Sequence, residues 1–337
     1  MIIFQRMQIW GATLLLTMSL MLAACGDTAQ TIRTDENIVV VYNCNTDDWT
    51  APLAKEFQEQ TGIQVQLVSG SSGQLMARVR TEQEHPHGDV IWGGSEDSYV
   101  LLESYLEPYE SPEKYAILPE YVRRNNAFYN MVKDPYVIAY NTDLVSEADA
   151  PKGWRDLLAP RFCGRIALAD PAKSTSSYAV LLTMVDAMGG DSAVIGQLAA
   201  QVDGRILGSS AEQIKALADG TYAVTATFEE PVLKYIASGA HMKIVYPEEG
   251  TAVSSSAVGI IKNAPHPDHA KKFLNFLMSR QVHERLGDYE RRSTRADISA
   301  PPNLRPLSEI RYTRFDTRRA VSFRDEFLSK WRAAVIK

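Results

Sequence analysis

Short turns of serine and glycine recur along this sequence, and their chemistry suits an oxyanion. Ser-Gly-Ser-Ser-Gly occupies 69–73, Gly-Gly-Ser occupies 93–95 and Ser-Thr-Ser-Ser occupies 174–177. Each turn offers hydroxyl and backbone N–H donors, and a helix that begins there adds the positive end of its dipole. One such turn alone is better explained as an ordinary helix cap. The recurrence of several predicts an anion-binding site that needs few cations.

Two pairs of charged residues are further candidates for ligand contacts. Glu229 and Glu230 end an apolar run, so at least one is expected to accept hydrogen bonds from a ligand amine or hydroxyl. The alternative is a carboxylate that stabilises a helix start before Pro231. Arg291 and Arg292 offer a bidentate fork for an anion, or they pair with neighbouring acids. Both alternatives stay open at this point.

Strand and helix signals alternate along most of the chain and predict an α/β fold. Residues 38–42 form a compact apolar run, Leu53 and Phe57 mark a short amphipathic helix, and 63–67 alternate like a strand. The same order returns after residue 165. Such alternation favours parallel sheets, and ligands of parallel sheets bind at the carboxyl ends of the strands. The serine-rich turns follow predicted strands, which places them at that edge.

Two extended apolar stretches, Tyr136 to Asn141 and Ser255 to Ile260, are predicted to cross between two lobes. With one crossing each, lobe 1 comprises 37–137 and 258–290, and lobe 2 comprises 138–257 and 291–337. Ordinary sheet strands remain the alternative interpretation.

The amino terminus has the order of an export signal. Arg6 precedes an apolar stretch, and Leu-Ala-Ala-Cys ends at Cys25. The stretch is short for a membrane span. The tetrapeptide resembles a bacterial lipobox, which implies a signal peptide over 1–24, a lipidated tether over 25–36 and a lipid anchor on Cys25. The predicted location is the periplasm or the outer face of the cytoplasmic membrane; a plain cleaved signal is the alternative.

Composition and motifs argue against several function classes. The 337 residues carry a formal charge of −6 and no basic tract, so no nucleic acid is expected and an anion must be held by local donors. Hydrolase, zinc-peptidase and phosphate-loop motifs are missing from the sequence, so we expect no enzyme. Cys44 and Cys163 fall in different predicted lobes, which disfavours a disulfide, and neither they nor 266–269 have convincing zinc spacing. No cofactor and no metal are predicted.

Several segments resemble the ferric-iron-type solute-binding proteins of ABC importers. They are 70–78, 89–95, 164–167, 256–262 and 270–273, and the similarity runs through nearly all of the chain after the signal. The resemblance implies the two-lobed type II periplasmic-binding-protein fold, in which each lobe is a mostly parallel sheet flanked by helices and two hinge crossings join them. It also implies an ABC permease and its ATPase as partners, and a monomer.

The iron ligands usual in that family do not match here. Asn43-Cys44-Asn45-Thr46 has no histidine, and Ala226 to Glu230 lacks the adjacent tyrosine pair. The chain better resembles the branch that binds 2-aminoethylphosphonate, phosphoglycerate or hexose phosphates. Ferric iron is therefore the alternative ligand. A ligand-sensing partner of a sensor kinase is the alternative of another class.

This resemblance implies a division of labour among the candidate residues. The serine-rich turns, Ser71, Ser72, Ser95 and Ser174 to Ser177, would hold a phosphate or phosphonate group, while Asn43, Asn45 and Glu229 would contact the rest of a small anionic ligand. The predicted ligand-binding residues are Asn43, Asn45, Ser71, Ser72, Gly94, Ser95, Ser174, Thr175, Ser176, Ser177, Thr227, Glu229 and Arg292.

Overall fold

The computed structural model describes residues 37–302 and 304–335. The predicted signal peptide, the tether and Cys25 lie outside the described residues. None of the helices described is both long and apolar enough to cross a membrane.

The first part of the chain builds a parallel sheet of three strands around β1. The order is β1 (Ile38–Asn43), α1 (Asp47–Thr61), β2 (Gln64–Ser69), α2 (Ser72–Thr81) and β3 (Val90–Ser95). β1 is buried along its whole length and pairs in parallel with both β2 and β3. A run of Ile and Val suits a central strand because both of its faces are covered by helices. All three strands therefore end at one edge of the sheet.

Two long strands pair with different neighbouring strands at different points along their length. β5 (Tyr129–Asn141) pairs antiparallel with β9 (Thr251–Ile261) up to Pro135, and from Tyr136 onward it pairs with β7 (Val224–Phe228) and β8 (Met242–Val245). β9 also pairs antiparallel with β3. The predicted crossings lie in β5 and β9. The lobe boundaries themselves stay a prediction.

The prediction of mostly parallel sheets is wrong for these long strands. Strand order along the sheet is β2-β1-β3-β9-β5-β7-β6, where β6 is Ile166–Ala167, and every pairing of β5 is antiparallel. Parallel neighbours must be joined by a long crossover, which is usually a helix. A long strand that pairs first with one group of strands and then with another is free of that requirement, so its pairing can be antiparallel. The sheets are mixed.

The remaining elements surround these strands. The helices are α3 (Glu96–Leu102), α4 (Thr175–Ala187), α5 (Ala193–Gln201), α6 (Ser210–Ala218), α7 (Glu229–Ala237), α8 (Pro267–Met278), α9 (Arg280–Glu284) and α10 (Thr317–Val335). The short strands are β4 (Leu106–Glu107), β10 (Arg292–Ser293) and β11 (Tyr312–Arg314). Single 3₁₀ turns occupy Glu103–Tyr105, Pro112–Ala116, Pro119–Tyr121, Trp154–Leu158, Pro160–Phe162, Leu286–Tyr289 and Leu307–Glu309.

Aromatic side chains fill two large apolar cores. In one core the Trp49 and Trp92 rings pack edge to face with centroids 4.9 Å apart. In the other, Tyr178 and Phe327 pack edge to face with centroids 5.2 Å apart, and the Tyr178 hydroxyl donates to the Ala320 carbonyl. The second contact fixes α10 on α4. Each core holds its own set of strands and helix starts in place.

Candidate functional site

A cavity of about 200 Å³ lies at the carboxyl end of β3, against β5 and β9 and at the first turns of α2, α4 and α7. Seven of its fifteen lining residues carry a hydroxyl group. The lining residues are Cys44, Ser72, Gly94, Ser95, Val132, Asp134, Thr175, Ser176, Phe228, Glu230, Pro231, Ser254, Ser255, Ser256 and Arg291. Larger hollows elsewhere on the described surface, of about 390 to 550 Å³, are lined by none of the predicted site residues.

Five of the predicted ligand-binding residues line this cavity. The position of each residue relative to a helix cap explains which ones do. Ser71 caps α2 by accepting from the Gln74 N–H at 3.4 Å, so the next residue, Ser72, lies at the cavity wall. Ser174 caps α4 by accepting from the Ser177 N–H at 3.2 Å, which leaves Thr175 and Ser176 at the wall. Ser95 and Gly94 complete the five.

Two glycines bring the end of β3 close to its neighbours. Gly93 and Gly94 have φ of +93° and +88°, where side chains are rarely tolerated. A Cβ on Gly93 would lie 2.5 Å from Asn45 Nδ2, and one on Gly94 would lie 3.3 Å from Ser72 Oγ. The close approach of β3 to the first-strand loop and to α2 therefore depends on both glycines.

Asn43 and Asn45 shape the loop after β1 and lie outside the cavity lining. Asn43 is fully buried, donates to Thr50 Oγ1 at 2.9 Å and accepts from the Asn45 N–H at 3.1 Å. Asn45 donates to the Trp92 carbonyl at 3.1 Å. These bonds position Cys44 at the wall, and packing around that thiol raises its pKa to about 12. Ligand contacts by the two asparagines stay a prediction.

Glu229 and Arg292 form a buried pair instead of facing the cavity. Arg292 Nε and Nη2 each donate to a Glu229 carboxylate oxygen at 2.8 Å, and the two residues are 1% and 3% exposed. Burial opposes the charge of Arg292, but the hydrogen bonds to Glu229 and the charge of that carboxylate together raise the pKa of Arg292. Ser177, which donates to the Ala169 carbonyl, and Thr227 are also buried outside the lining.

The neighbours of that pair are the residues that reach the cavity. Glu230 and Arg291 both line it, with Arg291 Nη2 3.2 Å from Glu230 Oε1. Lys234 Nζ lies 2.6 Å from Glu230 and 2.6 Å from Asp48 on α1. The Arg291 guanidinium stacks over the Trp49 ring at 4.3 Å. This chain of charges joins α1 to α7 beside the cavity.

Sequence reasoning missed Asp134 and the serines of β9 as site residues. Asp134 interrupts an otherwise largely apolar strand, and Ser254, Ser255 and Ser256 interrupt another. Polar residues inside strands that otherwise read as buried were the available signal. Burial, together with the carboxylates of Glu230 and Glu229, raises the pKa of Asp134 well above its usual range.

The donor set does not resemble a metal centre. Within the described residues, no group of three or more His, Cys, Asp or Glu side chains is placed to hold a metal ion. Both described cysteines are free thiols. The cavity can instead surround an anion with hydroxyls and helix-start N–H groups, while Asp134 supplies a carboxylate at one place on its wall.

The family of the chain follows from comparison with known proteins. Residues 38–289 match the family of bacterial extracellular solute-binding proteins. The chain belongs to this family. It is a binding protein rather than an enzyme.

Relatives of this solute-binding protein carry different ligands in their names. A proposed 2-aminoethylphosphonate-binding periplasmic protein of Salmonella typhimurium is 24% identical over 266 residues, covering 75% of this chain and 77% of the relative. Iron uptake protein A1 of Synechocystis is 25% identical over 296 residues, covering 77% and 78%. The predicted resemblance to ferric-iron-type binding proteins is confirmed.

A solved structure confirms the fold. The periplasmic binding protein AfuA of Actinobacillus pleuropneumoniae, with fructose 6-phosphate bound, superimposes with a TM-score of 0.79 at 24% identity, over 88% of this chain and 98% of AfuA. The predicted type II periplasmic-binding-protein fold is therefore correct, with the mixed sheets described above.

Proposed function

We propose that this solute-binding protein captures a small organic anion bearing a phosphate or phosphonate group and presents it to the permease and ATPase of an ABC importer. The observation that carries the proposal is the set of hydroxyls that line one cavity at the starts of α2 and α4. First-turn N–H groups have no partner within a helix, so they are available to anion oxygens.

Particular side chains support the binding of the anionic group. Ser72, Ser95, Thr175 and Ser176 offer it hydroxyl groups at the helix starts, and Arg291 adds a cation to the cavity wall. A relative named for 2-aminoethylphosphonate and a structural neighbour that holds fructose 6-phosphate agree with such a ligand. We further propose a monomer, anchored to the membrane through Cys25, that closes around its ligand.

Ferric iron is the less favoured ligand because its hard-oxygen donors are scarce at this site. The cavity lining contains no tyrosine or histidine among the described residues, and Glu230 is already paired with Lys234 and Arg291. Ferric iron stays the second candidate ligand because a relative of this chain is named for iron uptake. A role as partner of a sensor kinase requires the same ligand capture; it would survive deletion of the permease, whereas uptake would not.

The test is ligand binding by the purified protein and a Ser72→Asp variant. We expect 2-aminoethylphosphonate or a sugar phosphate to raise the melting temperature, since a ligand at 100 times its Kd adds about 2.7 kcal/mol. Ser72→Asp places like charge against the anion and should weaken binding at least ~10-fold. Calorimetric titration measures the affinity.

The matched control is Ser322→Asp, which adds the same charge at an exposed position of α10. It should leave the affinity unchanged. Stabilisation by ferric salts but by no phosphate or phosphonate, or equal affinities for the two variants, would contradict the proposed anion site.

A further inference from the structure

Asp134 is the carboxylate of the cavity wall that no cation neutralises. It accepts a long hydrogen bond, 3.5 Å, from the Glu230 N–H. In the part of the chain that the structure describes, no Lys, Arg or His nitrogen lies within 4 Å of it. The two nearby carboxylates differ, because Glu229 is paired with Arg292 and Glu230 with Arg291. Asp134 therefore offers the cavity a carboxyl group that has no described cationic partner within 4 Å.

The strand ladder fixes where Asp134 stands relative to the hydroxyls. Ser95 is the register partner of Ser256 on β9, and Ser256 is the partner of Val132 on β5. Asp134 lies two residues further along β5, opposite Ser254. Two strand residues span about 7 Å, and residues two apart point to the same face. One face of these paired strands therefore presents the Ser95 and Ser256 hydroxyls, and the Asp134 carboxylate follows on the same face two residues further along β5.

We propose that Asp134 binds a cationic amine of the ligand, so that the solute is an aminoalkyl phosphonate or phosphate rather than an amine-free one. This inference rests on the proposed function, because the hydroxyl end must hold the anionic group first. Two strand residues, about 7 Å, separate the hydroxyls from Asp134 along β5, which fits a short molecule with opposite charges at its ends. A dianion without an amine would bring its negative charge close to a carboxylate.

The charges around Asp134 set the pH dependence. From α7 the carboxylates of Glu229 and Glu230 face it, and from the segment at β10 the guanidinium groups of Arg291 and Arg292. Without ligand, burial and the carboxylates hold the pKa of Asp134 above its usual range. An ammonium group favours the ionised form, so its binding releases a proton and strengthens as pH rises through that elevated pKa. An amine-free anion shows the opposite trend.

The experiment compares 2-aminoethylphosphonate with ethylphosphonate, which lacks only the amine, by calorimetric titration. We expect the intact protein to bind the amine-bearing ligand at least ~10-fold more tightly, the scale of one hydrogen bond between charged groups. Asp134→Asn should abolish that preference and leave ethylphosphonate bound as well as before, or better. Titration in two buffers of different protonation enthalpy should show proton release with the amine only.

The outcomes separate the two proposals. If ethylphosphonate binds as tightly as its amine analogue, the amine assignment is wrong while the anion site stands. Binding of a sugar phosphate but of neither phosphonate would overturn this inference alone, and failure of the sugar phosphates as well would overturn the proposed function with it. Glu59→Gln, a charge-removing change on an exposed part of α1, is the control. The comparison of the two ligands on the unaltered protein holds even if Asp134→Asn folds poorly.

Discussion

Two adjacent glutamates at the start of α7 have different roles because one backbone step turns them to different surroundings. Glu229 is buried against Arg292, whereas Glu230 reaches the cavity beside Arg291. The sequence predicts Glu229 and Arg292 as ligand contacts, whereas Glu230 and Arg291 line the cavity. The choice depends on where the strand ends and the helix begins to within one residue.

At this scale we predict that Glu229→Gln destabilises the protein without weakening ligand binding by the folded protein. The change leaves Arg292 buried without its counter-charge, which costs about 3–5 kcal/mol. Urea unfolding measures the loss, and titration at low temperature measures affinity. Arg292→Met in the same chain should recover part of the stability. A loss of affinity with unchanged stability would instead make Glu229 a ligand contact, as the sequence suggested.

Element geometry explains how much of the site could be predicted. The alternation of apolar runs and amphipathic helices identified β1 to β3, and the parallel pairing put their ends at one edge. Ser71 and Ser174 were predicted as ligand residues, yet they cap α2 and α4, and the residues after them line the cavity. Asp134 was missed because a single acid within a strand gives no periodic signal. Only the strand register reveals that it stands beside Ser254.

At the scale of elements, Gly93→Ala should both destabilise the protein and weaken binding. The residue has φ of +93°, and a Cβ would meet the Asn45 side chain at 2.5 Å, so the end of β3 must shift. The backbone strain alone costs about 1–2 kcal/mol. Thermal unfolding and titration measure the two effects. Gly196→Ala in α5, where a Cβ meets nothing within 4 Å, should be neutral or stabilising, and equal behaviour of both variants would contradict the argument.

For the whole molecule, the charges beside the cavity connect elements that are distant in sequence. Asp48 on α1 contacts Lys234 on α7, which also contacts Glu230. If the two predicted lobes close around the ligand, these contacts form on closure, because the predicted boundaries put α1 and α7 in different lobes. Ligand affinity then includes the energy of contacts that do not touch the ligand.

We predict that Asp48→Asn weakens affinity by about 1.4- to 5-fold, the range expected for a partly exposed ion pair of about 0.2–1 kcal/mol. Small-angle scattering should show a smaller radius of gyration with ligand than without it. The variant should need more ligand to reach the compact form. The effect should fade at high salt, since exposed charges are screened. An identical radius with and without a bound ligand would contradict closure.

The two thiols described in the structure differ in a way that is useful in practice. Cys163 is exposed, whereas packing keeps Cys44 in its uncharged form near neutral pH. Reagents that attack the thiolate will therefore modify Cys163 well before Cys44. Cys163 does not line the cavity, so a dye introduced there leaves the solute's surroundings unaltered and labels the protein for binding assays of candidate nutrients.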